Sequence, residues 1–315
     1  GDHIGAQVFV GEYSRDVWSC DALPCVPGFV QYLEGIAQVH NVEMRNLGQF
    51  GRMNRAGVVM QTPDAGRLSS FADSSMHTVW NRGFYVPVGD GIKIERVTLV
   101  DTVGSSVYIA KSATNAVLRE NLVMGMKMPL TFLGQNSIIQ VEPVRANFEM
   151  WGPGVQLHGN AAAGSQRGAY AGVGMPWCGA STAEKSKVMS NNVAHSSLIG
   201  WFSHRMGGGE CNTLHDLTIY KILDYGVFVE QKQHVELSSV RVADTKVGIH
   251  VILVGPDYDT RFKLKATMSD VLLVGASDNE ECSLPSGMIP YMCLMDNAWC
   301  KPTSARHVGL FIPVF

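Results

Sequence analysis

Long apolar runs are missing from this chain of 315 residues: none approaches 18 uninterrupted apolar positions, so no membrane-spanning helix is expected within it. Charge is also scarce. Charged side chains make up 17% and the formal net charge is −3, which excludes an intrinsically disordered chain and a nucleic-acid binder that relies on a strongly basic surface. No charged-then-apolar leader opens the sequence, and no N-x-[ST] glycosylation acceptor occurs in it. The chain opens on Gly1 and stops inside an apolar stretch over 310–315, so it is expected to be a portion of something longer. Helical periodicity is poor as well, because glycine, at 33 positions, interrupts almost every stretch.

Seven cysteines are present, Cys20, Cys25, Cys178, Cys211, Cys282, Cys293 and Cys300. None forms the C-x-x-C spacing of a zinc ribbon or a thioredoxin-like site. They sit in Gly-, Pro- and Ser-rich surroundings such as ALPCVPG and GMPWCGAS, which read as loops. Loop cysteines suit disulfides in an oxidising compartment; seven reduced thiols in a cytosolic protein are the alternative. The odd count leaves at least one thiol free or paired outside the chain.

What is abundant is a short β-branched frame. It runs apolar, two mostly polar residues, an apolar residue or Asn, any residue, apolar, and it fits residues 118–123, 157–162, 188–193, 214–219 and 268–273. The fourth positions are Val97, Asn121, Asn160, Asn191, Leu217, Val240 and Val271, with Val42 and Ser74 extending the series upstream. A glycine and another short strand follow many frames, as at Gly83, Gly226 and Gly248. Repeats carrying two or three very short strands, with extra length thrown into loops, are what a parallel β-helix requires.

The expected fold is therefore all-β, a right-handed parallel β-helix of about nine coils with loop insertions, strands stacking at about 4.8 Å. A β-sandwich is the competing fold, but hairpin dipeptides are nearly absent apart from Asp90-Gly91. Residues 1–35 form a loop-rich or first-coil segment, 36–281 the β-helix, and 282–315 a cysteine-containing segment continuing into a further coil. Asn121, Asn160 and Asn191, at equivalent frame positions, are expected to form an internal amide ladder; turn asparagines facing solvent are the alternative.

The run Val42-Glu43-Met44-Arg45-Asn46-Leu47-Gly48-Gln49 resembles a coil of the fibrocystin and fibrocystin-L family and, more distantly, of the hyaluronan-binding cell-migration-inducing family. The likeness continues through Asn160-Ala161-Ala162-Ala163-Gly164, Arg167-Gly168-Ala169-Tyr170, Pro176-Trp177-Cys178, Asn191-Asn192-Val193-Ala194-His195-Ser196 and Asp224-Tyr225-Gly226-Val227-Phe228, then the LLVGAS run ending near Cys282. Order and approximate spacing are kept over roughly residues 40 to 285. The resemblance implies a β-helix in the ectodomain of a large cell-surface protein, often associated with cilia. It also implies a Cys178–Cys211 disulfide. Cys20 with Cys25, and Cys282 with Cys293 or Cys300, are further pairings to consider.

In the hyaluronan-degrading branch the coil after the Gly-Gln motif looks like R-Y-P-I-H-F-H. Here the matching stretch is Arg55-Ala56-Gly57-Val58-Val59-Met60-Gln61. Arg55 is kept, while Val59 and Gln61 stand where the histidines would, and neither can transfer a proton or serve as a good metal ligand. His40, His77, His158, His195, His204 and His215 are scattered. His195 beside Ser196 and Ser197 is discounted as a nucleophile pair, since adjacent residues rarely point at one another. Asp101, Asp216, Asp224 and Asp244 recur after strands, where turn capping explains them. Asp257, Asp259 and Arg261, in the PDYDTRF loop, are binding candidates together with Arg55. Residues 127–150 read as an insertion rich in Met, Pro and Phe.

These readings lead to a non-enzymatic extracellular scaffold, adhesion or recognition module without catalytic residues, metal or cofactor. Its expected partners are other extracellular proteins, copies of itself or glycans, not nucleic acid, and it would meet a membrane only through a tether outside the chain. A polysaccharide-processing enzyme of hyaluronidase type, or a glycan-binding β-helix, is the alternative.

Overall fold

The computed structural model describes residues 5–19, 26–50, 55–63, 66–127, 146–172, 178–204, 211–254, 264–275 and 308–311, with backbone alone over 12–19, 26–34, 204 and 308–311. Short strands dominate, and nearly all pair in parallel with strands one repeat away. The arrangement is all-β, with many-stranded parallel sheets consistent with a β-helix. Each repeat contributes to three faces. The first stacks Gln38–His40, Ser70–Ala72, Lys93–Glu95, Val117–Arg119, Gln156–His158 and Met189–Ser190. Two long strands, Cys211–Gln231 and His234–Leu253, pass through all three faces of their repeats.

Alternation along each strand sends one side chain per pleat inward. On the first face the inward column runs Val39, Phe71, Ile94, Leu118, Leu157 and Met189. On the second it runs Met44, Met76, Leu99, Val123, Ala162, Ala194, Ile219, Val242 and Leu273. On the third it runs Val8, Val58, Phe84, Val107, Phe148, Tyr170, Trp201, Val227 and Ile249. Most of these side chains belong to one core cluster, and each large one buried contributes about 1.5–3 kcal/mol. Volumes balance across the core. Where the second face carries Ala162 and Ala194, the third supplies Tyr170 and Trp201, stacked at 5.9 Å, with Phe148 stacked on Tyr170 at 5.1 Å.

Two turns per repeat are made by single left-handed residues. One column is Asn41, Asp73, Arg96, Glu120, Gly159, Asn191, Asp216, Ser239 and Asp270, and another includes Asn46, Thr78, Asp101, Gly125, Gly164, Ser196, Lys221 and Asp244, all at positive φ. Asp101, Asp216 and Asp244 thus serve the turns. A glycine before the third strand is a matter of close approach: a Cβ at Gly226 would meet the Gly248 carbonyl oxygen at 2.5 Å.

The fourth frame position is where the asparagines enter, with one correction. Asn121 Nδ2 donates to Asn160 Oδ1 at 2.9 Å, and Asn160 Nδ2 donates to Asn192 Oδ1 at 3.1 Å, all three side chains being buried. Asn192, not Asn191, is the third rung. Leu157 pairs with Met189, so the frame there starts one residue later than Val188, and Asn191 falls on the exposed left-handed turn.

Three further differences from the sequence reading stand out. Residues 8–11 pair in parallel with 58–61, while Val8–Ser19 and Val26–Glu34 form an antiparallel pair inside the segment read as loop-rich or first-coil. Ala146–Met150, read as part of an insertion, is a buried strand of the third face. A five-residue helix, Thr182–Ser186, starts at a capping box made by Ser181 and Glu184. At the far end, Val308–Phe311 pairs with residues 247–250 of His234–Leu253.

Candidate functional site

The outer side of the third face is not a solvated surface. Its row Val59, Tyr85, Tyr108, Glu149, Ala171, Phe202, Phe228 and His250 is largely buried, and Ala146, Ala171, Leu198, Ile199, Phe202, Phe228 and Ile252 form a second core cluster there. A polar group is set into this layer. Arg82 lies just before the strand Phe84–Asp90, held by a backbone N–H donated to Asn81 Oδ1 at 2.7 Å. Its guanidinium carbon sits 4.0 Å from the Tyr108 ring centroid and 5.2 Å from that of Tyr85. Guanidinium on aromatic faces is favourable and holds the group flat. One repeat beyond Tyr108, the buried Glu149 carboxylate accepts from Ser105 Oγ at 2.5 Å and Trp151 Nε1 at 3.0 Å. The outer layer thus holds a stacked guanidinium and, on the strand after Tyr108, a carboxylate bonded within the protein.

A second polar cluster lies outside the first face. The helix Thr182–Ser186 presents Lys185, whose Nζ donates to Glu236 Oε1 at 2.6 Å with both groups buried, and Gly179 N–H donates to the other oxygen at 2.9 Å. Burial alone would raise the Glu236 carboxyl, but the Lys185 hydrogen bond and charge with the Gly179 N–H outweigh it and hold it below its usual value. His215, buried between Ser186 Oγ at 3.0 Å and Ser238 Oγ at 3.2 Å, is lowered chiefly by desolvation. The segment is tied down by a Cys178–Cys211 disulfide with Cα atoms 5.6 Å apart, the pairing the resemblance implied. Each polar group here is bonded within the protein.

The residues singled out in the sequence do not converge. Arg55 is exposed and donates to Gln7 Oε1 at 3.4 Å. In the same stretch Val59 is buried on the outer row and Gln61 is exposed. Asp257, Asp259 and Arg261, and Cys20, Cys25, Cys282, Cys293 and Cys300, lie outside the described residues. His195 and Ser196 do meet, at 3.1 Å, contrary to expectation: Ser196 is left-handed, which turns its hydroxyl back to the ring, and His195 also stacks on Tyr220 at 4.9 Å. Asp224 is buried, and desolvation raises its carboxyl to about 6 despite Lys246 nearby. Among the described residues no group of three or more His, Cys, Asp or Glu side chains could hold a metal ion, and no helix is long and apolar enough to cross a membrane.

Sequence reasoning missed Arg82, Glu149, Lys185 and Glu236. The Ser181-x-x-Glu184 capping signal could have found the helix that carries Lys185. The aromatic flanks of Trp80-Asn81-Arg82-Gly83-Phe84-Tyr85 hint at Arg82 alone.

Comparison with known proteins adds the relationship. The chain is 26% identical to fibrocystin-L of Mus musculus over 326 residues, covering 100% of this chain. It is 24% identical to fibrocystin of Canis lupus familiaris over 288 residues, covering 89%, and 28% identical to fibrocystin of Mus musculus over 222 residues, covering 69%. The chain is homologous to the fibrocystin family. It spans 5–7% of the length of these fibrocystin relatives. No protein-family profile and no solved structure matches it.

Proposed function

We propose that the chain is a right-handed parallel β-helix of about nine coils, drawn from the extracellular part of a fibrocystin-like cell-surface protein, cilia included, and that it serves as a non-enzymatic scaffold and recognition module. The carrying observation is the inward stack. Three columns of apolar side chains run through the described repeats, and the amides that enter them bond to one another. A column of that kind is stiff because each repeat is held by two neighbours, and its flanks offer long surfaces to extracellular proteins or further copies. The buried Lys185–Glu236 and Glu149 clusters support the reading, since their charges are committed to internal partners.

Two measurements test this. Small-angle scattering of the purified chain should give an elongated particle whose length follows a spacing of about 4.8 Å per repeat; a near-spherical particle refutes the rod. Hyaluronan and sulphated glycans incubated with the chain should keep their length distribution, and shortened products would replace the scaffold by a polysaccharide-processing enzyme.

A further inference from the structure

Arg82 is 4% exposed, and none of the ion pairs among the described residues involves it. Glu149, next to Tyr108 in the outer row, is bonded by Ser105 and Trp151. Yet its guanidinium nitrogens are not among the polar atoms sealed from solvent without a partner. Arg82 is thus a nearly buried cation, pressed flat on Tyr108 and Tyr85, with its nitrogens open to solvent through a small window. Burying a cation without an anion is costly, and a stacked guanidinium has already lost the freedom that binding would remove.

We infer that Tyr85, Arg82 and Tyr108 form a binding position for a single carboxylate presented by an acidic segment of a protein partner. A planar carboxylate matches the donor fork of a guanidinium in two parallel hydrogen bonds. The window selects the carrier: with so little of Arg82 reachable, a glutamate or aspartate on a slim side chain enters, whereas a carboxylate fixed to a sugar ring brings the ring against the rim. This goes beyond the scaffold reading and does not depend on it, since a stiff column stands whether or not Arg82 has a ligand.

The test is fluorescence anisotropy of a labelled poly-glutamate peptide with the 315-residue chain, a poly-glutamine peptide and polygalacturonate serving as the other arms. Saturable binding of the glutamate peptide alone is expected. Arg82→Gln should weaken it by about tenfold or more. Arg82→Lys, which keeps the charge and loses the fork, should weaken it several-fold. Arg241→Gln, an exposed arginine on the second face, should leave it within about twofold. Circular dichroism establishes that each variant folds, and Arg82→Lys decides the matter if Arg82→Gln does not. Unchanged binding in the folded Arg82 variants overturns the inference, as does an equal loss in Arg241→Gln. Polygalacturonate binding that depends on Arg82 in place of the peptide assigns the position to a glycan and overturns it too.

Discussion

Replacing Asn160 by alanine should cut the ladder at its centre. Asn160 Oδ1 accepts from Asn121 N at 3.2 Å and Asn121 Nδ2 at 2.9 Å; Asn160 Nδ2 donates to Leu118 O at 2.8 Å and Asn192 Oδ1 at 3.1 Å. Some of these groups have a second partner. Asn121 Nδ2 still donates to Ile94 O, and Asn192 Oδ1 still accepts from Asn160 N. The Asn121 N–H and one bond at the Leu118 carbonyl are what the alanine leaves unmet, away from water. At about 1–3 kcal/mol for each orphaned group, the loss is roughly 2–6 kcal/mol, the larger figure applying if the vacated volume stays open. The role of the amide is visible elsewhere in the column, where Val42 N donates to Ser74 Oγ at 3.0 Å and Val97 N to Asn121 Oδ1 at 3.0 Å. A backbone N–H just after the left-handed turn takes its acceptor from the next repeat.

The assay is urea unfolding followed by tryptophan fluorescence, combined with amide hydrogen exchange, because a repeat that contacts only its neighbours reports damage locally. The Asn121 amide should exchange much faster in Asn160→Ala, while amides around Val240 keep their protection. Asn192→Ala should cost a comparable amount. Asn191→Ala, at an exposed turn, should cost about 1 kcal/mol from its left-handed backbone. A loss under about 1 kcal/mol in Asn160→Ala with a protected Asn121 amide, or a larger loss at Asn191 than at Asn192, refutes the reasoning.

Other perturbations have equally definite outcomes. Lys185→Met leaves the buried Glu236 carboxylate with Gly179 as its remaining hydrogen-bond donor and should destabilise by about 3–5 kcal/mol in urea unfolding at neutral pH. The loss should shrink in acid, because Glu236 is held below its ordinary 4.5 in the folded chain, so its contribution is present above that value and fades as pH falls through the folded one. Asp224 has the opposite sign. Its folded value is raised from 3.8 to about 6, so stability is greatest below 3.8 and declines as pH rises through 6. Asp224→Asn should remove that decline, gaining on the order of 2–3 kcal/mol at pH 7.5 against pH 3.5 when unfolding is compared across pH. Opening the Cys178–Cys211 bridge, which spans 33 residues, with paired serines should cost roughly 3–4 kcal/mol in the chain-entropy picture, measured as the shift in urea midpoint.

Much of the architecture was legible because it is written in short-range pattern. The frames at Leu118, Leu157, Leu214 and Leu237 give the first inward column, and the glycines at 83 and 226 mark the third strand because a Cβ there would strike the next repeat. The slip at Asn191 has a physical origin. Val188-Met189 offers two adjacent apolar starts and Asn191-Asn192 two adjacent amides, so both registers satisfy the pattern, and only cross-repeat pairing with Leu157 decides between them. Lys185 and Glu236 are separated by 51 residues. Arg82 acquires its meaning from Tyr108, which reaches it only through the alignment of neighbouring strands. Sites of this kind depend on stacking order, and a frame read one repeat at a time does not contain it.

The same stacking makes the outside of the column unequal, and that can be tested by substitution. On the second face the outward side chains Leu122, Leu272 and Val274 are exposed, whereas on the third face Phe202 and Phe228 stack at 5.6 Å inside a second apolar layer. Strand position and pleat are alike in the two rows, so hydrophobicity alone does not tell them apart; burial does. Leu122→Gln should therefore change stability by no more than about 0.5 kcal/mol. Phe202→Ala should cost about 3–5 kcal/mol and speed exchange at Ile199 and Phe228. If Leu122→Gln proves as damaging as Phe202→Ala, the second face is covered in solution, and a partner surface has to be sought there as well as at Arg82.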